Sequence, residues 1–397
     1  MSRFNANVQN IAPSASMVVM AKAKKLKAID PEIVDMGGGE PDFSTPKKIC
    51  DELFRQIQAG YTHYTVGIGL PELREKIAEK LEKENGCHYS ADGIIVTPGG
   101  KYAIYLAVRT LVESGDEVIY LNPSWVSYPS IVEASNGIPV PVDLDYKKEY
   151  RIDVGAIEKK ITDKTKLLII NYPNNPTGRV LTRTEADALR DMMLRHPSLY
   201  VLTDEIYERI VYDGKVNISL GSYKEVSERV ITVNGFSKSV AMTGWRIGYL
   251  AAGEEFVKVC SKLFSHTITC VSGFIQKAAI KAFECNDEIE KMRRIYEDRR
   301  NILMEKLNKI PRVYCMVPEG AFYAWVKFDI EGLDSNQVTE FILEKAKVAG
   351  VPGISYGEKN GSWMRFSFAT STDQILKAVD NIDRVMREYD MENKAHG

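Results

Sequence analysis

Leu199-Tyr200-Val201-Leu202-Thr203 runs into Asp204-Glu205-Ile206-Tyr207, and Val230-Ile231-Thr232-Val233 runs into Asn234-Gly235-Phe236-Ser237-Lys238. Each apolar run is rich in branched side chains and too short for a buried helix. Each stops at polar residues, the pattern of a buried strand with a loop at its carboxyl end. Two further runs behave alike: Glu117 to Leu121 leads into Asn122-Pro123-Ser124-Trp125, and Lys166 to Ile170 leads into Asn171-Tyr172-Pro173-Asn174-Asn175-Pro176. Helical-looking segments such as Arg183 to Leu194 lie between several of these strands. That alternation predicts an α/β domain whose mostly parallel sheet is flanked by helices. Ligands in such sheets sit outside the carboxyl ends of the strands, so the four polar ends are expected to converge on one crevice.

Working outward, Leu73, Ile77 and Leu81 recur on one helical face after Leu70-Pro71, which predicts a helix ending near Asn85-Gly86. A second helix is expected after Gly99-Gly100. From Asn286 the pattern becomes a long charged helix through Leu307, a strand-like run from Ala321 to Phe328, a helix from Asn336 to Ala349 and a last helix after Thr372. This tail reads as a smaller α+β domain completed by N-terminal residues. The expected division is 45–290 for the large domain, with 1–44 and 291–397 forming the small one. Repeats and long linkers are absent from the sequence, so the domains are expected to share an interface.

With 44% hydrophobic and 27% charged residues and a net charge of -2, the chain offers no electrostatic reason to bind nucleic acid or anionic lipid. Its six cysteines and five histidines show no zinc spacing, so no metal site is expected and the thiols read as reduced. Met1 to Lys22 lacks the pattern of a secretory signal, and no run of about 18 apolar residues occurs. A cytoplasmic protein is expected.

From Ile231 to Ala252 the only charged residues are Lys238 and Arg246. Most lysines and arginines reach water, but two cations in so apolar a run need partners. A buried lysine loses its proton readily and attacks aldehydes, and an arginine eight residues on grips phosphate with two nitrogens.

The run Gly235-Phe236-Ser237-Lys238-Ser239-Val240-Ala241-Met242-Thr243-Gly244-Trp245-Arg246-Ile247-Gly248 resembles the cofactor-attachment signature of class I aminotransferases, in the aspartate aminotransferase superfamily of fold type I pyridoxal-phosphate (PLP) enzymes. The resemblance extends from Gly39-Glu40-Pro41-Asp42-Phe43 through Asn175-Pro176-Thr177-Gly178 and Asp204-Glu205-Ile206-Tyr207 to Arg365. It implies pyridoxal 5'-phosphate held on Lys238 as a Schiff base, with Lys238 later shuttling a proton. It makes Asp204 the partner of the pyridine nitrogen, although by itself Asp204 also reads as a helix cap. Tyr207, expected one helical turn further on, and Asn175 would meet the cofactor's phenolate oxygen, and Trp125 would stack on its ring. Gly99, Gly100, Lys101 and Arg246 would hold the phosphate, helped by Tyr64 from a neighbouring subunit, and Ser237 would also bind the cofactor. That last contact implies a homodimer with shared sites.

On the substrate side the resemblance assigns Arg365 to the α-carboxylate, with Gly39, Trp125 and Asn175 around it, and a small domain that closes over the substrate. Lys101 matches a lysine that binds the distal carboxylate in one branch of aspartate aminotransferases, which implies transamination between aspartate and 2-oxoglutarate. Lys101 also reads as a phosphate contact. The same residues would serve aromatic or prephenate-type transamination, decarboxylation or β-elimination, and a regulator without turnover is the rival from another class. One departure is Gly235, where many relatives have a serine or threonine that reaches the phosphate.

Overall fold

The computed structural model describes residues 8, 9, 11, 13, 21, 25–357 and 361–396. The expected contribution of residues 1–24 to the small domain therefore lies largely outside the described residues. The strands are β1 (Val34–Asp35), β2 (Ile94–Thr97), β3 (Glu117–Asn122), β4 (Ile138–Asp143), β5 (Thr165–Asn171), β6 (Tyr200–Asp204) and β7 (Val230–Gly235). They continue as β8 (Gly248–Ala251), β9 (Val313–Cys315), β10 (Tyr323–Phe328), β11 (Val348–Ala349), β12 (Val351–Pro352) and β13 (Trp363–Ser367).

Seven of them form one sheet in the order β2-β8-β7-β6-β5-β3-β4, in which only β8 runs against its neighbours. Successive residues of a strand point to opposite faces, and here both faces are buried. Val118, Tyr120, Leu167, Ile169, Ile231 and Val233 join one core with the helices Gly100–Leu111, Ser127–Ala134 and Glu254–Thr267. Ile119, Leu121, Leu168, Ile170 and Val201 join another with the helix Arg183–Arg195. That α/β architecture, mostly parallel and flanked by helices, matches the expectation.

Local chemistry explains the helix ends. The helix Pro71–Asn85 starts on proline, buries Leu73, Ile77 and Leu81, and stops at Gly86 in the left-handed region with φ 67°. Thr182 and Glu185 form a reciprocal capping box at the start of Arg183–Arg195.

A separate core, belonging to the C-terminal part of the chain, gathers Val34 and Met36, the long helix Asn286–Leu307, β10, and the helices Ser335–Ala346 and Thr372–His396. Its antiparallel sheet has the order β12-β13-β10-β9, and β1 pairs in parallel with β11. Two expectations need correction. The helix predicted to reach Ala349 ends at Ala346, because Lys347 turns left-handed with φ 58° and Val348–Ala349 become a strand against Val34–Asp35. No helix follows Asp204: β6 ends there and residues 206–209 form a turn, so the side chains share a site through a strand end and a turn instead of a helical face.

Candidate active site

A cavity of about 440 Å³ opens where the polar ends of β3, β5, β6 and β7 meet the core built around β10 and β13. Trp125 reaches it from the end of β3, Asn171 and Asn175 from β5, Asp204 and Tyr207 from β6, and Ser237 and Lys238 from β7. Gly39, Gly100, Lys101, Arg246 and Arg365 complete the expected set. Gly99 stands just behind, with Arg246 packed against it. Tyr64 is the exception: 88% of its surface is exposed and it does not line the cavity of its own chain.

Lys238 Nζ donates a 2.5 Å hydrogen bond to the Gly39 carbonyl and lies within 6 Å of the Tyr207 and Phe322 rings. Burial lowers its pKa to about 8; Arg365 and Arg246 push the same way, against Glu40 and Asp204. A substantial fraction of the amine is therefore neutral near pH 8. Asp204 is buried, and burial raises its carboxyl to about 6 even though Tyr128 Oη donates to Oδ2 at 2.8 Å and the Ile206 amide to Oδ1 at 3.3 Å. The Tyr207 hydroxyl is hydrogen-bonded to that of Tyr323 at 2.8 Å, and burial keeps it protonated.

Arg365 sits on β13, opposite Trp325 of β10, with 2% of its surface exposed. Its guanidinium lies 4.2 Å from the Tyr323 ring centre and 5.3 Å from that of Tyr356. Nη1 donates to Asn175 Oδ1 at 3.1 Å and Nη2 to the Gly37 carbonyl at 2.8 Å, while buried Nε has no hydrogen-bond partner. Asn175 is in turn fixed by Asn171, whose Oδ1 accepts its amide and whose Nδ2 donates to the Asp204 carbonyl.

At the other end Gly99, with φ 87°, lets the chain turn into the helix Gly100–Leu111. A Cβ there would come within 2.8 Å of Arg246 Nη2, so glycine is what admits the guanidinium beside the helix start. Arg246 itself has φ 53° and donates to the Thr243 carbonyl. Gly235 has a packing reason as well: a Cβ would lie 2.8 Å from Gly248 Cα, so the two strands leave no room for a hydroxyl side chain. Lys101 Nζ lies 4.9 Å from the centre of the Trp125 ring, its pKa lowered by burial and by Arg246. Four cations against Glu40 and Asp204 make the cavity a site for anions.

Asn171, in one of the four polar strand ends, acts on this geometry together with Tyr128 and Tyr323, whose roles no local spacing shows because their partners lie 76 and 116 positions away. Among the described residues no cluster of His, Cys, Asp and Glu is arranged to hold a metal ion, and no helix is long and apolar enough to cross a membrane.

A buried lysine between an acid and an arginine at the carboxyl edge of such a sheet offers an amine nucleophile beside cations that suit an anionic ligand. Residues 31–382 match the family described as aminotransferase class I and II, and the chain belongs to it. The aspartate aminotransferase of Bacillus subtilis (strain 168) is 38% identical over 389 residues, covering 96% of this chain and 98% of that protein. Aromatic-amino-acid aminotransferase 2 of Thermococcus litoralis is 40% identical over 364 residues, covering 90% and 92%. The solved aspartate aminotransferase from Thermus thermophilus with maleate superimposes with a TM-score of 0.91 at 36% identity, covering 97% of this chain and all of that one. The chain is thus an aminotransferase, as its signature implied.

Proposed function

We propose that the chain is a PLP-dependent aspartate aminotransferase that converts L-aspartate and 2-oxoglutarate to oxaloacetate and L-glutamate in a ping-pong cycle. The observation that carries this reading is the Lys238 amine, its pKa lowered to about 8, in one cavity with Asp204 and Arg365. The residues fit PLP on their own chemistry. A buried acid lacking a cation suits a pyridine nitrogen, a glycine-opened helix start beside Arg246 suits a phosphate, and the amine suits an aldehyde.

When bound, PLP supplies an electron sink for the pair left behind as a Cα–H bond breaks. Lys238 would hold the cofactor at its aldehyde end, and its largely desolvated amine would take and return the proton at substrate Cα. Asp204 would pair with the pyridine nitrogen and keep it protonated. Arg246 and the amides at Gly100 and Lys101 would hold the phosphate, with Ser237 also against the cofactor; Tyr207 and Asn175 would serve the phenolate oxygen, and Trp125 would lie against the ring. Arg365 takes the α-carboxylate beside Gly39, with Nε as an additional donor, and so fixes the Cα–H bond for cleavage. Lys101 receives the distal carboxylate.

The large domain is 45–290 and the small one 1–44 and 291–397, closing over the substrate. Two chains share the sites, Tyr64 of each reaching the other's phosphate; its exposure in the single chain supports this. Six free cysteines support a reducing cytoplasm as the setting. A second reading, transamination of aromatic amino acids, is favoured by the Thermococcus litoralis relative and by the aromatic side chains of Trp125, Tyr207 and Tyr323 in the cavity. The deciding experiment supplies L-aspartate or L-phenylalanine with 2-oxoglutarate. Oxaloacetate formed mole for mole with glutamate, and faster than phenylpyruvate, supports the assignment. Alanine and carbon dioxide from aspartate without glutamate, or no reaction, would reject it.

A further inference from the structure

The turn that carries Asp204 and Tyr207 has a second side. Asp204, Ile206 and Tyr207 line the cavity, whereas Glu205 and Glu208 do not, and both glutamates are buried. Glu205 Oε1 accepts from Thr203 Oγ1 at 3.0 Å, and Oε2 accepts from Asn217 Nδ2 at 2.9 Å, Asn85 Nδ2 at 3.3 Å and the Ser219 hydroxyl. Glu208 Oε2 accepts from the same Asn85 Nδ2 at 2.7 Å, and its Oε1 is paired with Lys80. Lys80 Nζ in turn donates to Asn85 Oδ1 at 2.8 Å. The backbone repeats the pattern, with the Glu205 amide on the Val233 carbonyl and the Glu208 amide on the Glu205 carbonyl, both at 2.9 Å.

Two carboxylates with one lysine are costly to bury, and burial with the charge of Glu208 pushes Glu205 up to about 7. An apolar pair would pack this place without that cost. What the carboxylates supply is acceptors: four donors converge on Glu205, the full capacity of a carboxylate, from the end of the helix Pro71–Asn85, the loop at 217–219 and β6 itself.

We propose that Glu205 and Glu208 are positioning residues, a bracket on the far side of the turn that fixes Asp204 and Tyr207 against the cofactor by tying the turn to Lys80, Asn85 and Ser219. This rests on the assignment of Asp204 and Tyr207 to PLP. The bracket touches neither cofactor nor substrate; it acts through the turn, and small displacements of a reacting group are enough to slow chemistry.

The test uses holoenzyme reconstituted with PLP and follows PLP affinity, kcat, KM for the amino donor and the thermal midpoint. Glu205→Ala is expected to weaken PLP binding about tenfold and to lower kcat about a hundredfold, with KM changed by less than about threefold. Glu205→Gln should bring both back to within about threefold of wild type, because the amide oxygen keeps the three donors on the Oε2 side and the amide nitrogen donates to Thr203. If Glu205→Ala fails to fold, Asn85→Ala removes the donor shared by both carboxylates and should lower kcat about threefold to tenfold. A lower thermal midpoint with unchanged kcat and PLP affinity overturns the bracket, as does a Gln variant no better than Ala, or an Asn85→Ala variant that behaves as wild type. Wild-type protein that takes up no PLP overturns the cofactor assignment and the bracket together.

Discussion

The phenol of Tyr128 donates a 2.8 Å hydrogen bond to Oδ2 of Asp204, and the Tyr128 ring stands edge-on to Trp125 at 5.4 Å. One side chain thus joins the acid assigned to the cofactor's nitrogen to the ring assigned to its face. A hydrogen bond to the charged form favours that form, so Tyr128 opposes the upward pull of burial on Asp204. Tyr128→Phe is expected to move the acid limb of PLP uptake by the cofactor-free protein up by about one pH unit. An unmoved limb in a normally folded variant would show that Tyr128 only packs.

The same burial makes Asp204 a stability cost in the cofactor-free protein. Its folded pKa of about 6 lies above the ordinary 3.8, so between these values the folded state binds more protons than the unfolded state. The stability from this group is complete below about pH 4 and is lost as the pH rises through 6. Asp204→Asn should therefore stabilise the cofactor-free protein at pH 8 by up to roughly 3 kcal/mol while having almost no effect near pH 4. Turnover should fall by several orders of magnitude, since a neutral amide cannot keep the cofactor nitrogen protonated. Denaturant titrations at the two pH values check the sign; a variant less stable at pH 8 would contradict it.

Lys101 decides between an acid-specific enzyme and a broad one. It lies over Trp125 in the cavity wall, with its pKa lowered by burial and Arg246. Lys101→Ser should reduce kcat/KM for aspartate about tenfold to a hundredfold more than for phenylalanine. An equal loss for both would assign Lys101 to the phosphate, and no loss would leave aspartate without its reader.

The sequence made the site more legible than the scaffold. Strands β3, β5, β6 and β7 stand out because they are buried on both faces and end in polar residues, and the same ends carry Trp125, Asn175, Asp204 and Lys238. Strand β4 escapes that reading because Pro139 and Pro141 interrupt it; as an edge strand it spares their missing amide hydrogens. The overlong helix to Ala349 has a similar origin, since Val348 and Ala349 continue an apolar pattern that the left-handed Lys347 breaks. Tyr128 and Tyr323 were out of reach for another reason. A buried tyrosine gains its role from a partner far along the chain, and no local spacing encodes which one.

The most direct test of the account is chemical trapping at Lys238. Protein loaded with PLP is reduced with borohydride, which turns the carbon–nitrogen double bond into a stable single bond, and is then digested and mapped by mass. The cofactor's mass is expected on the peptide containing Lys238, with no covalent label in a folded Lys238→Ala variant. A label on another lysine, Lys101 in the same cavity included, or an undiminished label in Lys238→Ala, would contradict it.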